Sequence, residues 1–177
     1  MNESYLKHKE KAPKSLNFAV LTISTSKYQL KKSGRKEVQD KSGDLIVKLL
    51  TQSNHRVVAR KLIPDNPTMI KKDILKFTKS NEIDVIITTG GTGVTKKDLT
   101  IETVEGILQK KLPGFGEILR KLSFERIGSA AILTRAIAGI RNGKAIFCLP
   151  GSPDAVEVAV KYLIISEATH IVKHARE

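Results

Sequence analysis

Leu16-Asn-Phe-Ala-Val-Leu-Thr-Ile23 is an almost unbroken apolar run bounded by polar residues, the pattern of a strand buried on both faces of a sheet. Two further runs share it: residues 83–88, rich in β-branched side chains and followed by the glycines at 90 and 91, and residues 145–149 late in the chain. Residues 55–63 predict another strand, which closes at Pro64-Asp65. Between these runs the apolar period changes. Leu45, Ile46, Leu49 and Leu50 recur at helical spacing and predict a helix over 42–52. Asn66 and Pro67 supply a cap and a first-turn proline for a second helix, with Ile70, Ile74 and Phe77 as its buried stripe. Thr100 is expected to cap a third, with Glu102 favourably placed in its first turn and Ile101, Val104, Ile107 and Leu108 toward the core. Leu112-Pro-Gly-Phe-Gly116 breaks that helix, and a short successor is expected over 117–124. Ser152-Pro153 opens a C-terminal helix by the same cap-and-proline logic. Residues 24–41, polar and lysine-rich, read as a loop, while the small apolar stretch 132–140 predicts neither helix nor strand.

Strands alternating with helices, without internal repeats, give an α/β fold: a three-layer α/β/α sandwich with a mostly parallel central sheet. It is expected over residues 15–177 as a single domain, after a disordered basic tail over 1–14. No apolar stretch approaches the length of a membrane span and no signal-peptide core is visible, so a cytoplasmic location without membrane contact is expected. The lone Cys148 agrees, since one cysteine cannot close an internal disulfide, and its apolar neighbours predict a buried, inert thiol.

In such a sheet, ligands gather outside the carboxyl ends of the strands. The first run ends in Ser24-Thr25-Ser26, the second strand in Asp65, the third in Thr88-Thr89-Gly90-Gly91-Thr92-Gly93, and the last in Pro150-Gly151-Ser152-Pro153. Glycines let amides approach a ligand closely and threonines add hydroxyl donors, so residues 90–93 suit a phosphate; a purely structural turn is the alternative. The loop lacks both the Walker pattern and the Gly-x-Gly-x-x-Gly of dinucleotide folds. The helix starting at Ser152 aims unpaired amides at an anion. Asp65 and Asp98, at two strand ends beside this loop, read as Mg²⁺ ligands, because magnesium takes one or two carboxylates plus substrate phosphates; singly, each reads equally well as a turn or surface charge. Lys96 and Lys97 either screen the gathered negative charge or form a solvated face. His170 and His174, four apart, share a helix face but have no further metal ligand nearby in sequence. The net charge of +13 favours anionic partners. With aromatics at only 5% and no RNA-binding signature, nucleic acid is the weaker choice among them.

At these residues the sequence resembles the MoaB/MogA family of molybdenum cofactor biosynthesis proteins. The resemblance runs over about 16–171 and is carried by Asp40-Lys-Ser42-Gly43, Ile63-Pro-Asp65, Thr88-Thr-Gly-Gly-Thr-Gly93, Lys97-Asp98, Leu112-Pro-Gly-Phe-Gly-Glu117 and Leu149-Pro-Gly-Ser-Pro153. Leu122-Ser-Phe-Glu-Arg-Ile-Gly128 and Thr134-Arg-Ala-Ile-Ala-Gly139 resemble the MoaB branch more. The resemblance implies a molybdopterin adenylyltransferase, which joins the pterin phosphate to the AMP part of ATP and releases pyrophosphate. It implies Asp65 and Asp98 as the catalytic, Mg²⁺-holding pair. Substrate binding falls to Ser24, Asp40, Ser42, Gly43, Thr89, Gly90, Gly91, Thr92, Gly93, Pro150, Gly151 and Ser152. Ser24-Thr25-Ser26 departs from the Ser-Asp-Arg or Ser-Asn-Arg of many relatives. The family's non-catalytic members make a molybdopterin carrier or scaffold the alternative, with a basic nucleic-acid-binding module behind it. A homo-oligomer is implied, trimer or hexamer with the hexamer favoured, and other cofactor-assembly enzymes are candidate partners.

Overall fold

A computed structural model describes residues 13–35 and 37–177. Most of the tail expected over 1–14 therefore lies outside the described residues, as does Lys36. The strands are β1 (Asn17–Ile23), β2 (Arg56–Ile63), β3 (Val85–Thr89), β4 (Lys110–Lys111), β5 (Ile137–Arg141) and β6 (Lys144–Leu149). They form one sheet in the order β2-β1-β3-β6-β5-β4. The first four are mutually parallel, and β5 and β4 complete the sheet in antiparallel pairings. The helices are α1 (Thr25–Lys32), α2 (Lys41–Gln52), α3 (Pro67–Lys79), α4 (Thr100–Glu105) and α5 (Pro113–Ile127). A 3₁₀ turn follows (Gly128–Leu133), and the chain ends in α6 (Pro153–Val158), a π segment (Ala159–Ile164) and α7 (Ile165–Arg176).

Alternation along the buried strands makes the third layer. Phe18, Val20, Val85, Ile87 and Phe147 face one side and pack with Ile46 and Leu50 of α2, Leu119 of α5 and the C-terminal helical run. Ala19, Leu21, Ile86, Ile146 and Cys148 face the other and meet Ile70, Ile74 and Phe77 of α3 with Ile101 and Val104 of α4. The expected sandwich is thus observed, with apolar runs buried from both faces.

Three local expectations are corrected. The loop over 24–41 contains α1, whose N-terminus is capped by Ser24 Oγ accepting from the Lys27 amide at 3.4 Å, and whose last turn carries Lys31 and Lys32 toward the negative helix end. It buries no side chain, so no apolar stripe marks it. The break at 112–116 and the short helix over 117–124 are instead the one helix α5: Pro113 occupies its first turn, and Gly116 faces the Ala136 carbonyl, where a Cβ would lie 2.7 Å from the oxygen. That glycine serves close packing. Thr100 is the first residue of α4 and not its cap; Leu99 takes the cap position without a side-chain bond, and the helix ends at Glu105, before Ile107 and Leu108. The unassigned stretch 132–140 ends the 3₁₀ turn and opens β5.

Candidate active site

Because β1, β2, β3 and β6 run parallel, their carboxyl ends share one rim. Ile23 lies beside Ile63, Thr22 beside Thr89, and Thr89 beside Leu149. Hydrogen bonds then lock the four departing loops together. The Ser24 amide donates to Ile63 O at 2.9 Å and the Gly90 amide to Leu149 O at 3.1 Å. Thr89 Oγ1 donates to Pro150 O at 2.8 Å, and Ser42 Oγ to Gly151 O at 2.7 Å. The Asp65 amide donates to Thr25 Oγ1 at 3.1 Å.

The glycine loop needs its glycines. Gly90 and Gly91 adopt φ +97° and +62°, in the left-handed region where a Cβ is strained. A Cβ on Gly90 would strike the Ile23 carbonyl, and one on Gly91 would strike Asp65 Oδ2 and Thr100 Oγ1. The loop, Asp65 and the start of α4 are therefore in mutual contact, tied further by the Thr100 amide donating to Gly91 O at 3.0 Å.

The two aspartates differ in environment. Asp65 is half-buried, and its Oδ1 accepts from the Leu99 amide at 3.3 Å. Burial pushes its carboxyl above the usual range; that amide opposes the rise, while the nearby charges of Asp98 and Glu102 add to it. Asp98 accepts from Thr95 Oγ1 at 2.6 Å and from the Thr95 amide at 3.0 Å. The Thr95 hydroxyl holds Asp98 below the usual range against partial burial. Gly93 faces Asp98, with the position of a Cβ 2.7 Å from Oδ2.

Three residues at the site escape the sequence reading: Thr95, Thr100 as an inward hydroxyl, and Arg135. Arg135 donates to Gly93 O at 2.7 Å and pairs with Glu102, whose carboxyl that guanidinium draws down. In the sequence it is a lone cation in the small apolar stretch 132–140, inside the Thr134-Arg-Ala-Ile-Ala-Gly139 motif, and neither feature assigns it to the rim. Thr100 Oγ1 is buried without a hydrogen-bond partner.

Asp40, Ser42 and Gly43 form the floor behind the loops. Asp40 caps α2 and receives Thr22 Oγ1 at 2.7 Å, Arg60 at 3.0 Å, the Gly43 amide at 3.2 Å and Lys27 at 3.3 Å. Burial alone would raise its pKa, but these donors outweigh it and hold the carboxyl below the usual range. Ser42 and Gly43 are buried, as are Thr89 and Thr92, whereas Gly151 and Ser152 are exposed. Ser152 Oγ accepts from the Ala155 amide at 3.4 Å, so the expected cap is made. Lys96 and Lys97 are exposed. Cys148 lies fully buried in β6, where burial pushes its thiol up to about 12. His170 and His174 do share a face, with their Nε2 atoms 2.8 Å apart.

This donor set suits a hard divalent cation. Two carboxylates come from neighbouring loops, and the charge of Asp98 adds to the rise that burial causes at Asp65. The buried Thr100 hydroxyl beside Asp65 has no partner of its own. Among the described residues no three His, Cys, Asp or Glu side chains group closely enough to hold a metal by themselves. A cation here would share two aspartates with water or phosphate oxygens, the usual habit of Mg²⁺.

Residues 19–170 match the family described as "Probable molybdopterin binding domain". The chain is similar to molybdenum cofactor biosynthesis protein B of Bacillus cereus, at 40% identity over 169 residues and 95% of each chain. It is 41% identical over 174 residues to the molybdopterin adenylyltransferase of Pyrococcus furiosus, covering 96% of this chain and 97% of that one. The crystal structure of the tungsten cofactor synthesizing protein MoaB from Pyrococcus furiosus superposes with a TM-score of 0.81 at 41% identity, over 94% of this chain and 100% of the other.

Proposed function

The chain belongs to the molybdopterin-binding domain family, on its MoaB branch, and on that premise we propose that it is a molybdopterin adenylyltransferase. A terminal phosphate oxygen of molybdopterin attacks the α-phosphorus of ATP in line. The new P–O bond forms as the α–β bridging bond breaks, and pyrophosphate leaves with the electron pair. The observation that supports this most is the contact of Asp65 with the glycine loop, beside Asp98 and at the rim where four loops converge.

Little covalent chemistry falls to the protein in such a transfer, so its residues act by position and charge. The Gly90 amide is taken by Leu149 O and the Gly93 amide by Asp98, so the Gly91 and Thr92 amides cradle a phosphate, and Arg135 fixes the loop through Gly93 O. Thr89 and Ser42 hold the Pro150-Gly151 turn against the glycine loop, which leaves the exposed helix start at Ser152 open to nucleotide or pterin. Asp65 and Asp98 hold Mg²⁺, which when bound supplies positive charge toward the phosphate oxygens. Asp40 and Gly43 support the floor and are substrate-binding through the α2 start they fix.

Residues 15–177 act as one molybdopterin-binding domain, in the cytoplasm, as a homo-oligomer. A large exposed apolar patch supports self-association: Phe124, Ile127, Ile132 and Leu133 are 61%, 56%, 84% and 63% exposed within ten residues of chain. Among the described residues no helix is long and apolar enough to cross a membrane.

The deciding experiment is formation of adenylyl-molybdopterin and pyrophosphate by the purified protein with ATP and Mg²⁺. Asp65→Asn and Asp98→Asn are each expected to lower turnover by about 100-fold or more while molybdopterin still binds. Binding of molybdopterin without pyrophosphate release by the unaltered protein would make it a carrier. Full magnesium-dependent turnover by Asp65→Asn would remove the metal assignment.

A further inference from the structure

Beyond the rim, α1 and the edge strand β2 border a cleft of about 650 Å³, whose only residue with a part in the proposed transfer is Asp40 at its inner end. Its lining is mainly basic: Lys31, Lys32 and Arg35 come from α1 and its exit, and Arg60 and Lys61 from β2, with one acid, Asp40, and the Tyr28 ring as further walls. These cations are of two kinds. Arg60 is neutralised by Asp40 and Asp44 at 3.0 and 2.7 Å, and Lys61 by Asp73 at 2.5 Å. They tie β2 to the helices on either face. Lys31, Lys32 and Arg35 are exposed and make no ion pair among the described residues. Three charges without an ion partner thus face the cleft, and the backbone at Arg35 turns back on α1, its amide donating to Leu30 O at 3.3 Å.

The cleft adjoins the candidate site. Arg60, Lys61 and Leu62 immediately precede Ile63-Pro64-Asp65 on β2, and Tyr28 lies about one turn along α1 from Thr25, whose hydroxyl receives the Asp65 amide. We propose that this groove binds a chain of linked phosphates, which Lys31 and Lys32 of α1 and Arg35 just after it can engage together. A single orthophosphate reaches too few of them for comparable affinity. Small linked phosphates are favoured over an RNA strand because the groove has the volume of a small-molecule cleft. It also offers one aromatic wall where strand-binding surfaces stack successive bases.

The linked phosphates have two sources: the tail of ATP held at the rim, or free pyrophosphate and polyphosphate. Assigning the ATP tail rests on the proposed transfer; binding of free linked phosphates does not. The test is calorimetric titration of the full chain, without Mg²⁺, with pyrophosphate, tripolyphosphate, orthophosphate, ATP and AMP. It is repeated on Lys31→Gln/Lys32→Gln/Arg35→Gln, on Lys32→Gln alone, and on Asp65→Asn. Pyrophosphate and tripolyphosphate affinity should fall about tenfold or more in the triple variant and by a smaller factor in the single one, with the thermal midpoint unchanged. Orthophosphate should bind much more weakly than either, and AMP should be unaffected.

A parallel loss for ATP identifies the nucleotide tail as the ligand, and an unchanged ATP affinity identifies free linked phosphate; both uphold the groove. Three results overturn it: pyrophosphate binding that survives the triple substitution, binding lost only in Asp65→Asn, or a short single-stranded RNA that depends on the same lysines and is not displaced by pyrophosphate. Absence of adenylylation together with loss of pyrophosphate binding in the triple variant would sink the enzyme reading and leave the groove standing.

Discussion

The sheet has two halves built on different rules. In β2-β1-β3-β6 every strand runs the same way, so every carboxyl end, with the loop it launches, arrives at one rim. β5 runs the opposite way, so it is its entry point that reaches that rim, while β4, antiparallel to β5, returns to the common direction as a two-residue edge strand. Ile137, the first residue of β5, sits beside Cys148 near the end of β6, and this is how Arg135, two residues earlier, reaches Gly93. The parallel half concentrates chemistry. The antiparallel half lends it one tether and, through α5 and the 3₁₀ turn, carries an apolar surface. Function is gathered where strand direction is uniform, and what remains is free to serve association.

Two glycines with the same backbone angle test that division. Gly91, at the rim, and Gly128, at the end of α5, both have φ +62°. A Cβ on Gly91 meets Asp65 and Thr100, while one on Gly128 meets nothing within 4 Å. Gly91→Ala should displace the Asp65 carboxylate and lower adenylylation by about 100-fold or more, since small misplacements at a reacting centre are that costly. Gly128→Ala should lower stability by about 1–3 kcal/mol through strain alone and leave turnover per folded molecule unchanged. Steady-state kinetics with denaturant unfolding on both variants reads the contrast, and equal activity losses would erase it.

The apolar surface is tested next. Ile132 and Leu133, 84% and 63% exposed, would each recover about 1.5–3 kcal/mol if buried against another copy. Ile132→Glu/Leu133→Glu should therefore reduce the light-scattering mass to that of one chain, with the circular dichroism unchanged. A wild-type protein that is already monomeric at micromolar concentration would remove association as the patch's role. The tether ranks third. Arg135→Gln loses the Glu102 pair and the contact to Gly93 O, both partly open to solvent. It should lower turnover about tenfold and leave Mg²⁺ affinity within a few-fold.

The same division governs what could be read in advance. The parallel strands are legible because burial from both faces writes continuous apolar runs, and their ends point directly to Asp65, Asp98 and residues 90–93. The antiparallel edge is short: β4 has two residues and β5 contains Gly139, too little for a period to register. α1 buries nothing and so leaves no stripe. α5 is misread because Pro113 and Gly116, breakers inside a helix, are harmless in its first turn. At the site, Thr100 is legible as belonging to the helix start. That its hydroxyl points inward beside Asp65 follows from a packing contact between residues about 35 positions apart in the chain. Arg135 comes from the illegible half and could not be assigned to the rim before the β5–β6 pairing was known.

The smallest expected effect separates two aspartates of the legible half by the sign of their pH dependence. Asp40 has a folded pKa below its ordinary 3.8, so the unfolded chain binds more protons between the two values. Its contribution to stability is complete above about 3.8 and is lost as pH falls through the lowered value. Asp65 has a folded pKa above 3.8, so the native state holds the extra proton, and ionisation costs stability as pH rises from 3.8 through the raised value. Asp40→Asn should then lower the unfolding free energy at neutral pH by about 1 kcal/mol, a deficit that closes in acid below 3.8. Asp65→Asn should instead raise it slightly at neutral pH while abolishing Mg²⁺ binding, with its gain vanishing in acid. Urea unfolding from acid to neutral pH measures both slopes. Opposite slopes mean that Asp40 is held charged by partners the fold supplies, whereas Asp65 is held charged against the fold's own preference. The Leu99 amide alone does not offset burial there, so a carboxylate in that position gains from a bound cation, and a matching slope for the two residues would leave Asp65 as one more structural acid.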